Sequence, residues 1–276
     1  APRPPVDAKL ERPAQAQVFC AQRSLASRNA QRISPESWQQ AVTGLNQQWS
    51  PVQIASSASV SHETLYRHIY ADKASGGVLW KNLRSQKKRR KRYASDRDRR
   101  GQIVGRRPIS ERPAHIESRC SIGHWEGDTV IGAAHKQAIV SLVERKSGYA
   151  ILAKVSNKTS DMVSAAIIKG LGSIRSSVKT ITFDNGKEFA GHAQIDAALG
   201  STSYFAEPYS SWQRGTNENT NGLIRQYIPK KRNFNDVSDE EIGTIMAKLN
   251  HRPRKRLGFI SPIQALSSNL FENCCS

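Results

Sequence analysis

The chain has 276 residues, 37% of them hydrophobic and 24% charged, with a formal net charge of +19. That length supports one substantial core plus small appended units, while no apolar run reaches the ~20 residues of a membrane span and no hydrophobic leader supports secretion. The positive charge is clustered and favours a polyanionic partner, with nucleic acid ahead of an anionic membrane surface. Cys20, Cys120, Cys274 and Cys275 lack the paired spacing of zinc ligands, and free thiols suit a reducing cytoplasm.

Residues 1–35 are rich in Pro, Ala, Gln and Arg and read as a loose or truncated arm; without an initiating Met, the chain reads as a fragment or processed product. Ser34 as N-cap and Pro35 at the first helical position start a helix through SPESWQQAVTGLNQQW. Ser50-Pro51 opens a short helix, and Ser61 caps another in which Leu65 and Ile69 are spaced by one turn. Two short helices, with the small Ala55 inside the first, have the shape of a helix-turn-helix domain over residues 36–75. In it His62, Glu63, Tyr66 and Arg67 project toward a major groove; an ordinary helical hairpin is the competing reading, and the total charge favours DNA.

Residues 76–115 read as a basic linker. It holds Arg84, the unbroken run Lys87, Lys88, Arg89, Arg90, Lys91 and Arg92, and then Arg97, Arg99, Arg100, Arg106 and Arg107. No apolar face runs through it, so it tracks phosphates without reading sequence.

Residues 116–276 alternate strand and helix. GDTVIGA and QAIVSLVERKSGYAILAKVSN predict three strands, the second and third joined at Lys146-Ser147-Gly148. SDMVSAAIIKGLGSI predicts a helix with its apolar stripe on Met162, Ala166, Ile167 and Leu171. VKTITFD predicts a strand stopped by Asn185-Gly186, GHAQIDAALG a short helix ended by Gly200, and TSYFAEP a fifth strand. SWQRGTNENTNGLIRQYI then predicts a helix broken by Pro229. The fold class is α/β, a mixed five-stranded sheet flanked by helices and preceded by a small all-helical unit.

Three acids stand in weakly charged segments of this basic chain: Asp128 in HWEGDTVIG, Asp184 in TITFDNGKEF and Glu218 in WQRGTNENTNGLIRQY. Asp128 is expected at the start of the first strand, Asp184 at the end of TITF, and Glu218 on the late helix. If the two strands are neighbours, their ends bring both aspartates to one cation, and a helix packed across that edge supplies Glu218. Carboxylate oxygens hold Mg²⁺ or Mn²⁺, and two such ions ~3.5–4 Å apart activate a water or a DNA 3′-hydroxyl and stabilise the leaving oxygen. Singly, an Asp at a strand end is more often a turn residue and a helical Glu is mostly solvated; only their joint placement points to chemistry.

Glu126 shares a strand face with Asp128, and Glu188 follows the turn after Asp184, so both rank as supporting acids. Arg214, Asn217, Asn221 and Arg225 project to the side of Glu218 and suit contact with DNA phosphates and bases. Trp212 and Tyr227 read as packing residues. Lys230, Lys231, Arg252, Arg254 and Lys255 read as phosphate contacts.

WSPVQIA with VSHETLYRHIY, then GHWEGD, FDNGKEFA, PYSSWQRGTNENTNGLIRQYIPK and LNHRPRKRLGF with Ser261-Pro262 resemble bacterial DDE transposases of the insertion-sequence-30 type over residues 36–266. The resemblance implies an RNase H-like integrase core, with Asp128, Asp184 and Glu218 as the metal-binding triad of a two-metal site. It implies cleavage at insertion-element ends and strand transfer into target DNA. The implied partners are double-stranded DNA, as terminal inverted repeats and target, and further copies of the chain, at least a dimer on DNA, with no membrane. The implied setting is the bacterial cytoplasm, associated with the nucleoid. An additional amino-terminal helix-turn-helix common in the family is expected to be missing, and the loop before VSHETLY is short. The competing function is a DNA-binding regulator or an inactive domesticated remnant; a nuclease without strand transfer is a third.

Overall fold

The computed structural model describes residues 17–20, 33–84, 103–133, 137–208 and 210–274. Most of the amino-terminal arm and the basic run with Lys87, Lys88, Arg89 and Arg90 lie outside the described residues.

Helix α1 (Pro35–Asn46) starts at Ser34, whose hydroxyl accepts the Ser37 amide at 3.2 Å. Helix α2 (Pro51–Ile54) follows Ser50, whose amide donates to Oε1 of Gln53 at 2.9 Å. Helix α3 (His62–Ala74) is capped by Ser61, which accepts the Thr64 amide at 3.1 Å. Each cap satisfies amides that a first turn leaves without partners. Ala41, Leu45, Ile54, Leu65 and Ile69 close one small core, and Leu83 joins it, so the packed helical unit runs past residue 75.

Strands β1 (His124–Ile131), β2 (Ala138–Glu144) and β3 (Ala150–Val155) form an antiparallel meander. Strand β4 (Thr180–Phe183) pairs with β1 in parallel, and β5 (Thr202–Phe205) with β4 in parallel, giving the order β3-β2-β1-β4-β5. An antiparallel meander continued in parallel from its first strand is the mixed five-stranded sheet that the sequence predicts. Helix α4 (Ser160–Leu171) returns the chain from β3 to β4, and α5 (His192–Leu199) carries it from β4 to β5. Helices α6 (Gly215–Tyr227), α7 (Asp239–His251) and α8 (Pro262–Cys274) follow.

Strand periodicity sorts the sheet into two apolar layers. Trp125, Leu142, Ile181 and Phe183 pack with Val163, Ile167 and Ile195 on the α4 and α5 side. Val130, Ile139 and Leu152 pack with Leu223, Ile224, Ile242 and Ile245 on the α6 and α7 side. Every residue of β2 is buried, as a central strand covered on both faces requires.

Two expectations are corrected. β1 begins at His124, so Asp128 lies inside the strand and not at its start; the buried Trp125 and Glu126 extend the pairing backwards. The inward stripe of α4 runs through Val163, Ile167 and Leu171, whereas Met162 is exposed, because the helix is rotated by about one residue from the expected register.

Candidate active site

β1 and β4 place the two aspartates. Their parallel register pairs His124 with Thr180, Trp125 with Ile181 and Glu126 with Thr182. Continued by two residues it brings Asp128 level with Asp184, on the same face because each lies an even number of residues from Glu126 and Thr182. The opposite face is committed to packing. A Cβ on Gly127 would fall 2.5 Å from the Phe183 ring, so only glycine lets that ring close over β1. After Phe183 the chain turns, and the Gly186 amide donates to Oδ1 of Asp184 at 2.8 Å.

Arg214, the N-cap residue of α6, reaches both acids. Its Nη1 lies 3.3 Å from Oδ2 of Asp128 and its Nη2 3.5 Å from Oδ2 of Asp184. Asn221, two turns along the same helix, donates its amide to Oδ2 of Asp128 at 2.8 Å. Burial pushes the Asp128 carboxyl above its ordinary value; Arg214 opposes this, and the charge of Asp184 adds to it. Two carboxylates drawn this close, with positive charge between them, form a hard-oxygen donor set of the kind that fits Mg²⁺ or Mn²⁺.

Glu218 is the expectation met least fully. Its helix is where expected, but the side chain is exposed, and among the described residues no three acidic, His or Cys side chains stand close enough to share a metal ion. The triad is therefore not assembled: two members meet and the third stands off. Its position is nonetheless fixed by its neighbours. Arg214, four residues before it, and Asn221, three after it, both touch Asp128, so Glu218 occupies the helix side that passes the aspartate pair.

The two supporting acids have definite partners. Glu126 is fully buried, accepts the Asn217 amide at 2.9 Å and lies 3.4 Å from Nη1 of Arg145. Glu188 accepts from the Thr129 hydroxyl at 2.9 Å and pairs with Nζ of Lys158 at 2.7 Å. Lys158 and Thr129 were not singled out by the sequence, and no local pattern marks them. Arg106 donates to Oδ1 of Asn185, beside Asp184, so the basic segment ends against the site.

The residues expected to meet DNA divide by exposure. His62, Glu63 and Arg67 are exposed on the outer side of α3, with Glu63 and Arg67 paired at 3.7 Å, and Tyr66 is half-buried with its ring stacked on Tyr70. Lys230, Lys231 and Lys255 are exposed. Arg225 is half-buried and donates to the Ile131 carbonyl at 2.7 Å; Arg254, likewise half-buried, donates to the Leu249 carbonyl at 3.2 Å. Burial, with Arg252, Arg256 and Arg84 nearby, holds the Arg254 guanidinium down to about 10.

Three side chains depart from expectation. Asn217 is fully buried and exchanges hydrogen bonds with Ser141, its Oδ1 accepting at 3.0 Å, so it packs the helix on β2 and does not face DNA. Arg252 is buried and donates to Gln53 at 2.9 Å and Gln226 at 3.3 Å, which spends its donors inside the protein. Trp212, expected to pack, is 73% exposed one turn before α6, whereas Tyr227 does pack on the α6–α7 layer.

Comparisons with known proteins identify relatives of the chain. The chain is 42% identical over 247 residues to the transposase for insertion sequence element IS4351 of Bacteroides fragilis, covering 87% of this chain and 76% of that protein. It is 40% identical over 272 residues to the transposase for IS1086 of Cupriavidus metallidurans, covering 92% and 80%. It is 39% identical over 234 residues to the transposase InsI for IS30A of Escherichia coli K12, covering 79% and 61%. Among solved structures, the catalytic core domain of BIV integrase matches with a TM-score of 0.42 at 21% identity, over 55% of this chain and 98% of that one. No profile of a known protein family matches the chain.

Proposed function

The chain belongs to the insertion-sequence-30 family of transposases, and we propose that it cuts the ends of an insertion element and joins them to target DNA with divalent metal held by Asp128, Asp184 and Glu218. Transposase function follows from the family, and the activity is of the polynucleotidyl-transferase kind. The observation that supports the metal site best is the meeting of Asp128 and Asp184 on adjacent parallel strands, with a guanidinium spanning them.

Bound Mg²⁺ or Mn²⁺ would supply activation of water or a 3′-hydroxyl and charge neutralisation at the leaving oxygen. Asp128 and Asp184 would hold the ions, with Asn221 orienting the first carboxylate through its 2.8 Å hydrogen bond. Glu218 would complete the ligand set from α6. The protein's share of the work is positioning and fixed charge.

DNA is the substrate such an enzyme acts on. The outer side of α3, with His62, Glu63, Tyr66 and Arg67, is suited to a groove, and the exposed Lys230, Lys231 and Lys255 to phosphates. On this reading the helical unit is a DNA-binding domain, residues 76–115 the basic linker and residues 116–276 the catalytic domain. Joining two element ends requires that both be held at once, so a dimer or larger assembly on DNA is part of the proposal, and the bacterial nucleoid is where that substrate lies. No described helix is long and apolar enough to cross a membrane.

The test is a labelled duplex carrying the inverted repeats that flank the coding region, incubated with Mn²⁺ and either wild type or Asp184→Ala. Nicked and joined products from wild type alone support the proposal. Binding without cleavage by either protein favours the regulator, and cleavage without joining reduces the activity to a nuclease.

A further inference from the structure

Among the described residues, Arg214 is the cation whose guanidinium meets both aspartates, at 3.3 and 3.5 Å. A metal ion held by those carboxylates would draw on the same negative charge. The guanidinium and such a cation therefore compete, since both put positive charge in one place.

Arg214 is weakly held elsewhere. Nη1 donates to the Gly127 carbonyl at 3.2 Å, while Nε is buried and finds no hydrogen-bond partner among the described residues. A buried donor without a partner is a standing cost, and an oxygen-rich ligand that satisfied it would gain from doing so. The residue sits where the 3₁₀ turn Ser211–Arg214 meets α6, with φ −123° and ψ 41°. Its side chain can swing without rebuilding a helix interior. Arginine's planar fork also matches a phosphate better than it matches two carboxylates belonging to different strands. The exposed indole of Trp212 stands two residues away, so this edge of the site is open to a large ligand.

We propose that Arg214 is the internal counter-ion of the aspartate pair and is exchanged for divalent metal when a DNA phosphate draws it away, so that metal loading is coupled to DNA binding. The proposal rests on the metal-site reading above. Without DNA the guanidinium quiets the repulsion between Asp128 and Asp184 and competes with metal. With DNA it turns to the backbone, and the carboxylates are released to the ions. Coupling of this kind is reciprocal: DNA raises metal affinity by the factor by which metal raises DNA affinity.

Mn²⁺ binding to the full chain, followed by loss of the free-ion paramagnetic signal, tests it for wild type, Arg214→Gln, Arg214→Lys and Asp184→Asn, each with and without a random-sequence duplex. Without DNA, Arg214→Gln should bind Mn²⁺ about tenfold more tightly than wild type, within the roughly 5–150-fold range of such couplings. Duplex should then raise the affinity of wild type by a larger factor than that of the Gln variant. Equal or weaker binding by the Gln variant without DNA overturns the exchange. Should that variant not fold, the Lys variant reads the same contrast, because its ammonium lacks the planar fork whose two nitrogens meet the two carboxylates, and affinity equal to wild type overturns the proposal. Asp184→Asn separates the two readings. If it binds Mn²⁺ as wild type does, the metal site itself fails and the exchange with it; if it loses binding while Arg214→Gln does not gain, only the exchange fails.

Discussion

Glu126 accepts the backbone amide of Asn217 at 2.9 Å, so the residue two before Asp128 holds the residue immediately before Glu218. The bond ties strand β1 to the first turn of α6 at the level of the site. Glu126 also lies 3.4 Å from Nη1 of Arg145, which is itself buried and bound to Glu117 at 3.0 Å. Removing Glu126 leaves Arg145 its pair with Glu117 but strips the Asn217 amide of its acceptor, which costs about 1–3 kcal/mol for a buried donor. Glu126→Ala should lower the urea midpoint accordingly and abolish strand transfer even where the protein is folded. An Ala variant with a wild-type midpoint would remove Glu126 from this role.

Gly127 makes the second prediction. A Cβ there would lie 2.5 and 2.7 Å from two atoms of the Phe183 ring, which is fully buried and flat against Phe189. Gly127→Ala must push that ring, and with it the strand end that carries Asp184. Overpacking of this kind costs about 1–3 kcal/mol. The measured outcome should be a lower melting temperature together with weaker Mn²⁺ binding. Wild-type values for both would mean that the sheet yields more easily than this packing implies.

What could be read from residues alone was the local grammar. Ser34, Ser50 and Ser61 announced their helices, and β-branched runs announced five strands, because caps and period-two burial act over a few residues. The aspartates were legible because each stands at a strand where nothing else in the segment explains a charge. Strand order, by contrast, is a contact across some fifty residues, and nothing within either strand names its neighbour. For the same reason Asn217 looked like Asn221: both are amides on α6 within reach of Ser141, and only the sheet's position decides that one is fully buried while the other also meets Asp128. Trp212 was misread because aromatic residues are usually core, and the turn that exposes it has no sequence marker.

His124 carries a pH dependence. Burial, with Lys179 and His115 nearby, holds its imidazole down to about 4, and its ring nitrogens meet Thr180 at 2.9 Å and Ser121 at 3.1 Å. The unfolded chain protonates this residue near its ordinary value of ~6.5, so acid favours the unfolded state. The contribution is whole above pH ~6.5 and drains away as pH falls toward about 4. Between pH 7 and pH 5 the loss should be on the order of 2 kcal/mol. Urea titrations at both values should show His124→Gln losing less than wild type by about that amount. Parallel losses would mean that His124 titrates normally in the folded protein.

Arg252 joins the helical unit to helix α6, and the join can be measured. Its Nε donates to Oε1 of Gln53, in α2, at 2.9 Å, and its Nη1 to Oε1 of Gln226, near the end of α6, at 3.3 Å. Gln53 answers with Nε2 to the Pro253 carbonyl at 2.6 Å, while Gln226 donates to the Asn82 carbonyl at 3.3 Å. The helix bearing Glu218 and the capping box of α2 thus share one buried guanidinium that meets neutral amide acceptors. Burial pushes that guanidinium below its ordinary value, since leaving water is only partly offset by such acceptors. Arg252→Ala takes the donor from the Gln226 oxygen and leaves the Gln53 oxygen with Ser50, at about 1–3 kcal/mol where water does not replace the lost bond. Hydrogen exchange should then quicken at residues 50–54 and in the last turn of α6, with β1 and β2 unchanged. Unaltered protection at both places would show that the two units are held together by other contacts, and that motion of the helical unit is not transmitted to α6 through this residue.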